Sequence, residues 1–154
     1  MLKIQTKSTK RIRVVLIISF MIQILLTSQP FIRGSADGKT LQYFSALKMI
    51  SFIGAHDANG NYLSEIGTPA IAYLVFLILP VTALLFQVFD FYYNIKNAIG
   101  FAASALGVVF IIYFVGPAYL GSGSLLTLIV YLFTAFMSVM GMMARYTQSK
   151  SNKS

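Results

Sequence analysis

Four stretches of this chain contain no Asp, Glu, Lys or Arg. They are Val14 to Ile32 over 19 positions, Pro69 to Phe89 over 21, Ala98 to Gly116 over 19 and Ser124 to Ala144 over 21. A helix rises about 1.5 Å per residue and the hydrocarbon core of a bilayer is about 30 Å thick, so each run is long enough to cross. Helices satisfy their own backbone groups, which lipid cannot do. The expected fold is therefore an all-α integral membrane protein. It has four transmembrane helices in a left-handed bundle and a short outer amphipathic helix between spans one and two. Charged residues make up only 10% of the 154 positions, against roughly 25% in soluble domains. That is too little to cover a water-facing surface.

Orientation follows from the basic residues. The tail 1–13 holds Lys3, Lys7, Lys10, Arg11 and Arg13, the link 90–97 holds Lys96, and the tail 145–154 holds Arg145, Lys150 and Lys153. The loop 33–68 holds Arg33, Lys39 and Lys48, and the short loop 117–123 holds none. The bias places both termini in the cytoplasm and the protein in the cell membrane as a multi-pass chain with spans 14–32, 69–89, 98–116 and 124–144. The net charge of +8 is concentrated in those tails and does not describe a nucleic-acid surface. Tyr62, Tyr113 and Tyr119 fall near the outer boundary and Tyr92, Tyr93 and Tyr146 near the inner one, as interface anchors. A competing reading treats the first span as a cleaved signal peptide, with Gly34-Ser35-Ala36 as its small-residue site.

The loop 33–68 opens with turn residues, Gly34-Ser35-Ala36-Asp37-Gly38. Residues 41–53 read as a short helix with Phe44, Leu47, Ile50 and Ile53 near one face, lying along the interface or capping the bundle. A strand reading competes, because Tyr43, Phe44, Phe52 and Ile53 favour extended backbone. Asp57, Asn59 and Asn61 alternate like the start of a calcium loop. The place that needs Gly is Tyr62, and the closing carboxylate would fall at Thr68, so a polar turn is the better reading. His56 stands alone, and with no Cys in the chain no metal site is expected. Thr68-Pro69 is a helix start.

Each span carries a stripe of small or polar residues three and four apart. The first has Leu16, Ser19, Gln23, Leu26 and Pro30; the second has Tyr73, Phe76, Pro80, Ala83, Gln87 and Asp90. The third has Asn97, Gly100, Ser104 and Gly107; the fourth has Thr127, Tyr131, Thr134, Ser138, Gly141 and Arg145. A repeat of 3.5 keeps one seam against its neighbours and predicts left-handed packing. Small residues let helices approach, and polar ones bond across. Gln23 lies near mid-bilayer and needs a partner such as Thr134 or Tyr73. Pro80 cannot bond the Phe76 carbonyl, so a kink is expected. Asp90 is placed to pair with Arg145 or Lys96 at the inner boundary.

These residues do not make an enzyme. One His, four acids and no Cys leave no nucleophile–base pair inside a span. Gly121-Ser122-Gly123-Ser124 lacks the Lys of a phosphate loop. No cofactor is implied. The expected role is a non-catalytic accessory, assembly or regulatory subunit. Its partners are the bilayer and a second membrane protein or further copies of itself. The alternative is a small oligomeric transporter or channel. The candidate intramembrane positions are Gln23, Pro80, Gln87, Asp90, Ser104, Gly107, Thr134 and Ser138.

Overall fold

A computed structural model describes residues 7–34, 42–51, 53, 70–89 and 93–151. The chain is mostly helical. In order it forms α1 (Lys7–Leu26), β1 (Pro30–Gly34), β2 (Gln42–Ser45) and α2 (Ala46–Ser51). A 3-10 turn (Ala70–Leu74) leads into α3 (Val75–Val88), and α4 (Tyr93–Phe110) ends in a π turn (Ile111–Val115). After a second 3-10 turn (Pro117–Tyr119) comes α5 (Ser122–Ser151). The long helices pack in sequence round the molecule: α1 against α3 and α5, and α4 against α3 and α5.

Among the described residues, three helical segments are long and apolar enough to cross a membrane: Ile71–Val88, Ile95–Val115 and Ser122–Ala144. That count differs from the four spans expected from the sequence. The first span was expected over 14–32, but α1 ends at Leu26. Pro30 has no N–H and disfavours helical backbone at Gln29. Before it, the Thr27 and Ser28 hydroxyls bond back to the Ile24 carbonyl at 2.6 Å and the Leu25 carbonyl at 2.7 Å. Such local bonds compete with helix propagation. Lys7, Lys10, Arg11 and Arg13 occupy the first turns of α1, so its uncharged part, from Val14 to Leu26, rises only about 20 Å.

The outer loop also departs from expectation. Of the segment read as one helix, residues 42–51 divide into a strand and a single short helix. β2 pairs antiparallel with β1, Ile32 opposite Phe44 and Arg33 opposite Tyr43. Ile32 also bridges to Leu120, and the Gly121 N–H donates to the Phe31 carbonyl at 3.1 Å. Extended backbone wins here because β1 finds partners on both sides. The first turn of α2 is tied down by the Leu47 N–H, which donates to the Thr27 carbonyl at 3.2 Å. Phe44, Ala46 and Met49 are buried, whereas Leu47 and Ile53 are exposed, so the expected apolar face is rotated.

Hairpin and α2 form a cap over one end of the helices. Phe31, Ile32, Phe44, Ala46 and Met49 pack with Tyr73, Phe76, Ile111, Val115 and Tyr131 in one cluster. The Phe31 and Phe76 rings lie 4.8 Å apart. A second cluster, Leu16, Phe20, Ala83 and Ala103, fills the other half. The outward faces are apolar too: Leu25 is 67% exposed, Ile129 62% and Phe136 62%. Such a surface suits lipid and not water. Two other boundaries shift. α4 begins at Tyr93, inside the expected link 90–97, and α5 runs on to Ser151, through most of the expected tail.

Candidate functional site

The seam is where the polar side chains meet. In α5, Ser124, Thr127, Tyr131, Thr134, Ser138 and Gly141 are all buried, at spacings of three and four. In α4, Asn97, Gly100, Ser104 and Gly107 are buried, and on the α3 side Tyr73, Phe76, Pro80, Ala83 and Gln87. In α1, Leu16, Ser19 and Gln23 are buried. Pro30 is exposed on the hairpin, and Thr27 takes the buried place next along the stripe. The rhythm of 3.5 keeps a single face inward along each helix.

Small residues in the seam allow close approach of neighbouring rings and amides. A Cβ at Gly107 would stand 2.6 Å from both Cε atoms of Tyr131, and one at Gly141 would stand 2.8 Å from Asn97 Nδ2. At Gly100 it would meet Ser138 Oγ at 3.0 Å and Phe20 Cζ at 3.3 Å. At Gly107 the rigid ring leaves no room for a methyl group, whereas at Gly141 and Gly100 the neighbouring side chains would have to shift. At Gly116 the reason differs: φ is +72° with open space beside it, and the residue ends the π turn.

The polar groups form two tiers. At mid-helix, Gln23 Nε2 donates to Thr134 Oγ1 at 2.8 Å, and Thr134 Oγ1 donates to the Val130 carbonyl at 2.6 Å. This ties α1 to α5 where lipid would offer an amide nothing. At the end away from the cap, Gln87 Nε2 lies 3.3 Å from both the Lys96 carbonyl and Asn97 Oδ1. These bonds tie the end of α3 to the start of α4. Ser104 Oγ donates to the Gly100 carbonyl at 2.8 Å, within its own helix. Pro80 is buried inside α3, which continues through it. Asp90, and the side chain of Arg145 offered as its partner, lie outside the described residues, as do His56 and the Asp57 turn.

Two participants were not legible in the sequence. Arg13 was counted only as a tail charge. Its Nε donates to the Gln87 carbonyl and its Nη2 to the Val88 carbonyl, each at 2.9 Å. A guanidinium there satisfies the last carbonyls of α3 and meets the negative end of its dipole. Lys96, which the sequence places in the link 90–97, is 2% exposed in the first turns of α4. A charge at the edge of an apolar run was the only available signal for either. Among the described residues no group of three His, Cys, Asp or Glu could hold a metal ion.

A mostly helical protein with three helices able to cross a membrane is thus the class that fold and seam define. Comparison of the chain with protein-family models, with curated proteins and with solved structures returns no match.

Proposed function

We propose that this chain is a four-span cell-membrane protein of non-catalytic type, an accessory, assembly or regulatory subunit with both termini in the cytoplasm. The closed seam is the observation that carries the reading. Gln23, Gln87, Thr134 and Ser104 bond to one another's side chains, to Asn97 or to backbone, and the seam's glycines are pressed against Tyr131, Ser138 and Asn97. A body filled in this way suits a scaffold that holds another protein. Tyr43, Leu47, Lys48 and Ile53, exposed on or beside the cap, supply its contact surface.

The fourth crossing is α1 with the start of the hairpin. Arg13 sits level with Gln87 and Val88 at one end, and Phe31 sits level with Gly121 at the other. Residues 13–31 therefore reach from the level where α3 ends to the level where α5 begins. Nine basic residues on the side of the tails against three on the side of the cap give the orientation. The seam spacing of 3.5 supports left-handed packing. Cysteines introduced as Gly60→Cys and Asn152→Cys are expected to label from opposite sides of intact cells; labelling from one side overturns the topology.

Affinity purification in mild detergent tests the role. A stoichiometric membrane-protein partner supports it. A homo-oligomer that purifies alone and collapses a proton gradient in liposomes replaces it with the second reading, a small oligomeric transporter or channel. That reading draws on the buried oxygens of the seam that have no protein partner.

A further inference from the structure

An open groove of about 220 Å³ lies where the hairpin meets the start of α5. Pro30 and Arg33 of β1, Tyr43 of β2, and Leu120, Gly121 and Ser122 line it. A water takes about 30 Å³, so a group several times that size fits. Among the residues lining the groove, Arg33 is the one cation and none is a carboxylate. Arg33 is exposed, and its guanidinium makes no hydrogen bond or ion pair among the described residues. Depth gives the groove its surroundings. Ser122 is the first residue of the crossing Ser122–Ala144, so the groove stands where hydrocarbon gives way to headgroups. Ser122 is exposed, and the same face of α5 continues as Leu125, Leu126 and Ile129, all exposed. A groove holding a cation thus opens directly onto an apolar stripe. Tyr43 adds a ring of the kind that sits at headgroup level.

We propose that the groove binds the phosphate of an anionic phospholipid, with Arg33 holding the phosphate and an acyl chain lying along the stripe from Ser122 to Ile129. The chemistry selects this occupant. A guanidinium meets two phosphate oxygens at once with its planar fork, and one net negative headgroup matches its single charge. A zwitterionic headgroup brings an ammonium for which the groove wall holds no carboxylate. Lipid chains cover the stripe in any bilayer, so headgroups reach the groove at a high effective concentration that a free anion lacks. The inference needs a membrane-embedded chain and no protein partner, so it stands or falls apart from the subunit role.

The chain contains no Trp, so a single introduced one reports on its own surroundings. Ile129→Trp places it about 10 Å below Ser122. Val109→Trp is the control at the same depth. Gly107 meets Tyr131, and Val109 and Ile129 each lie two residues nearer the cap, exposed on α4 and α5. Each full-length variant is reconstituted in phosphatidylcholine bilayers. Quenching by acyl-brominated phosphatidylglycerol is compared with quenching by acyl-brominated phosphatidylcholine. In Ile129→Trp the phosphatidylglycerol is expected to be preferred about five-fold, the worth of one cation at a membrane surface. In Val109→Trp no preference is expected. Arg33→Gln in the Ile129→Trp background is expected to abolish the preference. Lys48→Gln, which removes the other described cation of the cap, is expected to leave it. No preference in Ile129→Trp, equal preference at the two positions, survival in Arg33→Gln or loss in Lys48→Gln each overturns the proposal. Inorganic phosphate that abolishes the preference, where chloride of equal ionic strength does not, assigns the groove to a free anion and overturns the lipid as its occupant.

Discussion

Gly107→Ala is the sharpest probe of the seam. The added Cβ would stand 2.6 Å from Tyr131 Cε1 and Cε2, where carbon atoms at rest are about 3.5–4.0 Å apart. The ring would have to retreat by about 1 Å. It has no space to do so, because Tyr131 is 0% exposed and packed among Tyr73, Phe76 and Ile111. Overpacking a core by a methyl group costs about 1–3 kcal/mol, and a rigid ring takes it to the upper end. Helix propensity returns about 0.5–1 kcal/mol, since Ala replaces Gly. The net loss is about 2 kcal/mol. Reversible unfolding of the full chain in bicelles reads it directly. Tyr131→Leu removes the ring, so Gly107→Ala made in that background is expected to be neutral or stabilising. The double-mutant cycle then shows a coupling of about 2 kcal/mol. A Gly107→Ala protein as stable as the parent refutes the argument, as does an equal loss in both backgrounds.

Gln23→Leu removes the 2.8 Å bond to Thr134, and a loss of about 1 kcal/mol is expected. Unchanged thermal stability and unchanged oligomer size in detergent count against that bond. Arg13→Gln withdraws two charge-assisted bonds of 2.9 Å from the last carbonyls of α3. A loss of about 1–2 kcal/mol is expected for this half-buried group, with faster hydrogen exchange over residues 9–16 than in the middle of α5. Equal exchange in the two segments contradicts it. Phe31→Ala empties the ring contact with Phe76 at 4.8 Å. It is expected to cost about 3–5 kcal/mol and to open residues 30–51 to protease added on the side of the cap. A protease-resistant variant rules out the cap as a packed element.

The buried seam was legible residue by residue in α3, α4 and α5. Thr127, Tyr131, Thr134, Ser138 and Gly141 were picked out by spacing, and all five are buried. The reason is local. A helix face is set by the 3.6-residue period, and in a chain this apolar the small and polar residues have no reason to face lipid. The same logic reaches Asn97, Gly100, Ser104 and Gly107, since one helix carries all four.

What the amino-acid sequence decided by itself is the medium and the inward faces: long apolar runs, basic ends and stripes at 3.5. Tertiary structure decided the rest, because each remaining feature needs a partner distant in the chain. β1 is extended and not helical because Phe44 and Leu120 stand on either side of Ile32. Arg13 is a helix cap and not a tail charge because α3 ends beside it, 74 residues further on. Local periodicity carries no information about such pairings, so it did not mark the end of α1 at Leu26, inside an apolar run that continues to Ile32.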